Sequence, residues 1–91
     1  MTYVIRYSAQ IDFARFSKLP KTDRKRLKKA IEEKLTTRPE LFGKPLRQSL
    51  KGCRSLRVGE YRIIYRITGK TVEVLLFGHR SVIYEDGQDI L

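Results

Sequence analysis

Two arginines occupy facing positions in a predicted β-hairpin, the segment LRVGEYRIIYRI at residues 56–67. Its alternating residues are rich in β-branched and aromatic types, and Gly59-Glu60 can form a two-residue turn. In that register Arg57 lies directly opposite Arg62, and like charges at facing positions weaken cross-strand pairing by roughly 0.2–1 kcal/mol. An anionic partner would offset this cost, so the pair predicts a site for an anion.

The residues that share a face with this arginine pair can be predicted by counting from two turns, Gly59-Glu60 and Gly69-Lys70. The count places Phe77 beside Arg62 and puts His79 on the same solvent-facing side. A basic pair next to an aromatic ring suits a ribose-phosphate backbone whose base is available for stacking. Charged residues on an exposed strand also commonly serve solubility alone, so the hairpin by itself leaves both interpretations open.

The opposite face of the sheet is predicted to form the core. It carries nine apolar or aromatic side chains: Leu56, Val58, Tyr61, Ile63, Tyr65, Ile67, Val72, Val74 and Leu76. On the solvent face Arg66 lies opposite Glu73, which predicts an ordinary cross-strand ion pair. A slip of one residue in the pairing would exchange the two faces.

A second group of reactive side chains follows the last predicted strand, in the segment GHRSVIY. A histidine such as His79 has an unperturbed pKa of about 6.5, which suits proton transfer at neutral pH. Arg80 adds a further guanidinium group and Tyr84 a phenol. Each also has an ordinary structural explanation, as a hydrogen-bonded histidine, a surface charge and the edge of a core.

The elements that must position these residues have the order β-α-α-β-β-β. A strand is predicted over 1–7, and Ser8 can cap a first helix in which Ala9, Phe13 and Phe16 recur at helical spacing. The two hairpins pair 54–58 with 61–67 and 61–68 with 71–79, after a less regular connection in which 46–50 can already be strand. An α+β fold follows, with the antiparallel meander packed against two helices.

The second helix is predicted to start at Pro20 and to end near Arg38-Pro39, because a residue before proline disfavours helical geometry. Its apolar stripe comprises Leu27, Ala30, Ile31 and Leu35. Its other side is basic and carries Lys21, Arg24, Lys25, Lys28 and Lys29. Such a face attracts phosphate groups without sequence preference, and this attraction weakens steeply with salt.

Composition predicts a single folded domain, 1–91, with an anionic partner. The 91 residues include 20 Lys and Arg against 10 Asp and Glu, which gives a net charge of +10 and favours nucleic acid, an anionic membrane or an acidic protein as partner. No apolar run approaches a membrane span, and the chain opens on strand-like sequence rather than on a signal peptide. Cys53 is the single cysteine and no Cys/His cluster is present. We therefore expect a cytoplasmic protein with no metal, no cofactor and no membrane partner.

The segment LRVGEYRIIYRI followed by GHRSVIY resembles the RelE/ParE toxin superfamily of prokaryotic toxin–antitoxin systems, and the pair is typical of its RelE-like branch. The resemblance extends over nearly the whole chain, through LPKTDRKRLKKAIEEKL and KPLRQSLKGCRSLRVG. It implies a RelE-like fold and a small ribonuclease that enters the ribosomal A site and cuts mRNA. It also implies a cognate acidic antitoxin that holds the toxin inactive and through which alone operator DNA is contacted.

The resemblance also implies roles for particular residues. Arg62 matches the arginine that contacts the scissile phosphate, and Arg80 matches one associated with phosphate contact and leaving-group assistance. Tyr84 looks like the tyrosine that stacks on or orients the nucleotide, and Arg57 matches a basic position of the same strand. In this scheme the 2′-hydroxyl attacks the adjacent phosphorus and leaves a 2′,3′-cyclic phosphate, a reaction that needs no metal where cations neutralise the pentavalent intermediate.

The chain departs from the RelE pattern at two strand positions. The family carries lysines there, one of them a proposed general base, whereas this chain has Cys53 and Ser55. His79 is then the most economical base, with Tyr84 as the second candidate, and Lys51 or Arg54 substitutes for the lysines only if the strand is bulged. We also assign Lys51 and Arg54, with Arg57 and Phe77, to RNA binding.

Two other classes of function remain open at the level of sequence. The ParE-like branch has the same fold and poisons DNA gyrase without cutting RNA, and the missing lysines keep this alternative open. A degenerate member would retain only antitoxin binding. The GHR…Y segment favours the ribonuclease.

Overall fold

A mixed five-stranded β-sheet is the frame of this computed structural model, which describes residues 2–9, 11, 13–46 and 52–79. The strands are β1 (Val4–Tyr7), β2 (Lys44–Pro45), β3 (Cys53–Val58), β4 (Tyr61–Thr68) and β5 (Thr71–His79). Two helices, α1 (Phe13–Ser17) and α2 (Lys21–Ala30), lie between β1 and β2 in the chain, and α2 continues as a π-helical segment over Ile31–Leu35. The predicted α+β fold is confirmed.

The sheet has the order β1-β5-β4-β3-β2, in which β1 runs parallel to β5 and the other neighbours are antiparallel. Gly59-Glu60 forms the turn between β3 and β4, and Gly69-Lys70 forms the turn between β4 and β5, as the sequence predicts. Arg57 is paired with Arg62 across β3 and β4. The facing arginines, on which the anion site depends, are therefore present.

A β-bulge interrupts the pairing of β4 with β5. Tyr65 pairs with Val74, but the preceding Ile64 pairs with Leu76, so Leu75 is an extra residue on β5. An extra residue reverses the alternation of side chains beyond it. From the Gly69-Lys70 turn to the bulge, the residues of β5 therefore lie on the predicted faces of the sheet. After the bulge they lie on the opposite faces.

The bulge corrects three predicted positions at the end of β5. Phe77 packs against the helix-facing core and His79 pairs with Tyr61, whose ring also packs there. The prediction that Phe77 lies beside Arg62 on the solvent face is therefore wrong. Leu76, predicted for the core face, instead packs in a cluster on the other side of the sheet.

The helix-facing core is built from the predicted apolar stripe of the second helix and from alternate strand residues. All four residues of the stripe are buried: Leu27, Ala30, Ile31 and Leu35. They pack with Ile11, Leu56, Ile63, Tyr65, Val72 and Val74. A smaller cluster on the opposite face contains Cys53, Ile64 and Leu75, with Leu46 and Leu76 against it. Both faces of the central strands thus carry buried apolar side chains.

Several element boundaries differ from the predicted ones. The amide of Ser8 donates to the carbonyl of Val74 at 2.9 Å, which extends the pairing of β1, and α1 begins only at Phe13. The π-helical segment ends at Leu35, earlier than the predicted Arg38-Pro39. The hydroxyls of Thr36 and Thr37 donate to the carbonyls of Glu32 and Glu33, which satisfies acceptors at this helix end.

The predicted strand at 46–50 falls mainly outside the described residues, because 47–50 are not among them. The described strand β2 occupies Lys44–Pro45, just before that stretch. None of the described helices is long and apolar enough to cross a membrane. Among the described residues, no group of three or more His, Cys, Asp or Glu side chains could hold a metal ion.

Candidate functional site

The candidate site lies on the sheet face opposite the helices, near the β3–β4 turn. Arg57 is exposed and its Nε donates to the carbonyl of Gly59 at 3.1 Å. Arg62 is half-buried, and its Nη1 donates to Ser55 Oγ at 3.3 Å. The site therefore presents two guanidinium groups, one extending into solvent and one attached to the sheet. Such an arrangement suits an oxyanion, since guanidinium groups donate several hydrogen bonds to phosphate oxygens.

Ser55 is a contributor that the sequence did not reveal. It is only 4% exposed and is the buried polar residue among those described. In the sequence, Ser55 is distinguished only by the absence of the lysine that the RelE family carries at this position. Its hydroxyl accepts a hydrogen bond from Arg62 and so helps to fix the direction of that side chain. The alternation of β3 could have indicated this contact, because residues 55, 57 and 62 share one face in the predicted register.

Arg54 points to the other side of β3 and is bound to the main chain. Its Nε donates to the carbonyl of Phe42 and its Nη2 to that of Gly43, both at 3.1 Å. The phenol of Tyr65, the residue paired with Arg54, donates to the carbonyl of Pro39 at 2.7 Å and also contacts that of Phe42. Burial raises the pKa of Tyr65, and the neighbouring Arg54 partly offsets this effect. These contacts hold the 39–43 segment against the sheet.

We expect replacement of Arg54 by alanine to lower the free energy of unfolding by roughly 1–3 kcal/mol, because two main-chain carbonyls lose a charged donor. Urea denaturation of the two proteins measures the difference. Arg57→Ala serves as the control, since an exposed substitution of this kind changes stability by only about 0.5 kcal/mol. Unchanged stability together with weakened RNA binding in the Arg54 variant would instead support the RNA-binding role predicted from the sequence.

The remaining predicted site residues either lie on the other side of the sheet from Arg62 or fall outside the described residues. The His79 ring packs edge-on against Tyr61, with centroids 6.0 Å apart. The Phe77 ring packs against Phe16 at 5.5 Å. Both lie on the helix-facing side. Three further predicted residues lie outside the described part of the chain: Lys51, Arg80 and Tyr84.

Tyr61 connects the hairpin to α2. Burial raises the pKa of the Tyr61 phenol, and the nearby carboxylate of Asp23 on α2 raises it further. On the same side, an apolar cavity of about 300 Å³ lies between the helices and the sheet, with the rings of Phe16 and Phe77 in its wall. At its mouth the exposed rings of Tyr7 and Phe13 pack edge-to-face, with centroids 5.6 Å apart. This side of the molecule offers apolar contacts, whereas the opposite face offers the arginine pair.

The fold and the cationic face define a small basic toxin of the RelE/ParE type, and comparison with known proteins agrees. Residues 3–84 match the family described as the ParE toxin of the type II toxin–antitoxin system parDE. The chain belongs to this family of type II toxin–antitoxin toxins. The membership in the RelE/ParE superfamily predicted from the sequence is confirmed.

The individual relatives carry RelE-type names. Toxin RelG and toxin RelE of Mycobacterium tuberculosis are 46% and 40% identical over 52 residues, which is 55% of this chain. Those matches cover 60% and 54% of the two proteins, so the chain spans little more than half the length of the curated relatives it matches.

Solved structures extend the likeness over most of the chain. The toxin–antitoxin complex RelBE2 of M. tuberculosis contains a chain that is 32% identical, with a TM-score of 0.78 and coverage of 89% of this chain and 94% of that one. The free E. coli toxin RelE, in mutant form, is 26% identical with a TM-score of 0.64 and full coverage of both chains. YafQ of E. coli, at 23% identity, supports the fold alone.

Proposed function

We propose that this toxin is a ribosome-dependent endoribonuclease that cleaves mRNA in the A site and thereby inhibits translation in the cytoplasm. The observation that carries the proposal is the arginine pair on the open face of the sheet, with Arg62 attached to the buried hydroxyl of Ser55. The RelE-type names of the relatives support the same activity. The chain would act on RNA through cationic groups rather than through a dedicated nucleophile.

The chemistry requires that charge be stabilised as it develops on phosphorus. The 2′-hydroxyl of the substrate loses its proton to a base, its oxygen bonds to the adjacent phosphorus, and the bond from phosphorus to the 5′-oxygen breaks. The 5′-oxygen takes up a proton, and the products are a 2′,3′-cyclic phosphate and a 5′-hydroxyl. Arg62 stabilises the additional negative charge of the pentavalent intermediate, and Arg57 contributes to phosphate attraction. Arg80 provides a second contact to the reacting phosphate, and Tyr84 orients the nucleotide.

The proton transfer is assigned to His79 or Tyr84, and one substitution at each residue separates the two candidates. His79 lies against Tyr61 on the helix-facing side, whereas Arg62 lies on the other side. We therefore expect His79→Ala to retain cleavage within about threefold, and Tyr84→Phe to lose about 10²-fold, the lower part of the range for general acid–base catalysis. Single-turnover cleavage of mRNA on programmed ribosomes measures both. A 10²-fold loss in the His79 variant, with its fold intact, would assign the base to His79.

Ser55 is proposed as a positioning residue for Arg62. Ser55→Ala removes the acceptor for Nη1 but leaves the guanidinium group, so we expect cleavage to fall about tenfold, because misplacement by 1 Å can reduce rates up to roughly 10²-fold. The single-turnover rate should fall more than ribosome binding does. Ser55→Thr keeps the hydroxyl and should restore most of the rate. If the two variants cleave equally, the hydroxyl does not position Arg62.

The proposed activity is tested in cells by mapping the 5′ ends of a reporter transcript after induction of the toxin. Cuts in phase with codons support the ribonuclease. The gyrase-inhibitor alternative is favoured by the ParE description of the matching family and by Cys53 and Ser55 at the lysine positions. It predicts intact RNA together with DNA damage. A chain that does not inhibit growth without its antitoxin would be a degenerate member that retains only antitoxin binding.

The partner proposed for this toxin is a cognate acidic antitoxin. Two solved relatives contain an antitoxin: the toxin–antitoxin complex RelBE2 of M. tuberculosis and the complex of mutant E. coli RelE with a RelB antitoxin peptide. The net charge of +10 of this chain favours an acidic partner. Operator DNA would be contacted only through that antitoxin.

A further inference from the structure

We propose that the basic face of α2 and the arginines of the β3–β4 hairpin form one continuous surface that binds a run of RNA phosphates beyond the phosphate that is cleaved. This cationic ridge consists of Lys21, Lys25, Arg26, Lys29 and Arg57. The identity of the polyanion as RNA rests on the proposed ribonuclease function. The existence of the ridge rests on geometry alone.

The helical part of the ridge is a row of like charges. The sequence of α2, KTDRKRLKKA, contains six basic residues and one acidic residue. Lys21, Lys25 and Lys29 follow one another at intervals of four residues, or about 6 Å along the axis. Together with Thr22 and Arg26 they line one shallow surface groove. Like charges at this spacing destabilise a helix by roughly 0.2–0.5 kcal/mol per pair, which indicates that the row serves a purpose other than folding.

The acidic side chains near this row are fewer than its basic ones, and one of them, Glu33, follows Lys29 at an interval of four residues. Asp23 is half-buried and lies near the phenol of Tyr61, whose pKa its carboxylate raises. Glu32 lies beyond the end of α2, in the wall of the apolar cavity. Glu60 brings one exposed carboxylate to the hairpin turn. The four basic residues of the groove, Lys21, Lys25, Arg26 and Lys29, therefore leave a net positive surface beside that turn.

The turn itself joins the helix to the arginine pair. A Cβ built on Gly59 would lie 3.4 Å from Nη1 of Arg26, so this guanidinium group packs directly against the turn. From the hairpin side, Nε of Arg57 donates to the carbonyl of the same Gly59 at 3.1 Å. Arg57 in turn faces Arg62 across the strands. Positive charge thus runs from the groove on α2, around one glycine, to the proposed cleavage site.

A nucleic-acid backbone suits this surface better than a protein does. Protein interfaces depend on buried aromatic, aliphatic or Arg anchors in well-packed pockets, and the groove on α2 is lined by four basic side chains and one threonine. Phosphate groups need only cations at regular positions and impose no sequence requirement. The apolar cavity on the other side of α2, by contrast, offers the anchors that a protein would use.

The test compares two variants of equal net charge, using the full-length protein and a labelled RNA oligonucleotide that is 2′-O-methylated throughout and so cannot be cleaved. Lys25→Gln/Lys29→Gln removes two charges from the ridge. Arg38→Gln/Lys70→Gln removes two exposed charges, from the segment that follows the π-helical segment and from the β4–β5 turn. Fluorescence anisotropy at several salt concentrations gives the affinity and its salt dependence.

We expect the ridge variant to bind about tenfold more weakly and the slope of log K against log salt to decrease by about 1.4, which corresponds to two lost phosphate contacts on a single strand. The control variant should keep the parental slope. If the two variants have equal affinities and equal slopes, RNA binding depends on net charge alone and the proposed ridge is wrong. Unchanged RNA binding with weakened binding of the acidic antitoxin would assign the surface to that partner and also overturn it.

The proposal of the ridge and the proposal of ribonuclease activity can each be overturned without overturning the other. Because the oligonucleotide cannot react, a slope reduced in the ridge variant supports the ridge even if the chain proves unable to cleave mRNA. Conversely, if the wild-type protein cleaves mRNA but the two variants bind the oligonucleotide equally, the proposed function is supported and the proposed ridge is wrong.

Discussion

Replacing Arg62 by alanine should reduce mRNA cleavage by roughly 10²–10³-fold, the usual loss when one donor to a developing oxyanion is removed. In cells the same change should abolish growth inhibition. The side chain is half-buried on the open face of β4 and has a fixed acceptor in Ser55, so its charge is held in place before the substrate arrives. Single-turnover cleavage on programmed ribosomes measures the effect. Arg80→Ala is expected to act in the same direction.

The control for this substitution lies on the same strand. Arg66 is on the same face of β4 as Arg62, but it forms an ion pair with Glu73. Arg66→Ala removes the same charge from the same surface, and we expect cleavage to remain within about threefold, since exposed ion pairs contribute little. Thermal unfolding should show that both variants are folded. Full toxicity of the Arg62 variant would mean that the assigned site is wrong.

Replacing Gly43 by alanine should lower the free energy of unfolding by roughly 2–5 kcal/mol, which combines 1–2 kcal/mol of backbone strain with 1–3 kcal/mol of overpacking. The residue has a φ of +74°, where L-residues are strained. A Cβ at this position would also lie 2.9 Å from both the carbonyl oxygen of Ser55 and the phenol oxygen of Tyr65. The contacts that hold the 39–43 segment would have to open. Urea denaturation measures the loss.

A matched glycine separates the two contributions. Gly69 has a φ of +60°, but a Cβ there would meet nothing within 4 Å. Gly69→Ala should therefore show the backbone strain alone, about 1–2 kcal/mol. If the two variants lose equal stability, the crowding around Gly43 contributes nothing, and the account of this corner of the fold is incorrect.

The hairpin register and the arginine pair could be predicted because turn chemistry and alternation agree there. Gly59-Glu60 lies between two strands of alternating pattern, so Arg57 and Arg62 can be paired by counting. The apolar stripe of α2 was predictable for a similar reason, since its spacing matches a helical period. Where one face is buried and the other polar, the pattern specifies the register strongly.

The end of β5 could not be predicted because its pattern is apolar on both faces. Leu75 and Leu76 follow one another within a run of apolar residues, and an extra residue in such a run leaves no polar side chain displaced to reveal it. For this reason Phe77 and His79 lie on the face of the sheet opposite to the predicted one. Arg54 illustrates another limit, since main-chain carbonyls twelve and eleven residues away bind it and no local pattern shows them.

Arginine-assisted cleavage of mRNA is tested most directly by analysing the products that the purified toxin forms with programmed ribosomes. We expect cuts within the A-site codon that leave a 2′,3′-cyclic phosphate and a 5′-hydroxyl, and we expect the Arg62→Ala variant to form these products at least 10²-fold more slowly. Intact mRNA with the wild-type chain, accompanied by broken DNA when gyrase is supplied, would contradict the account.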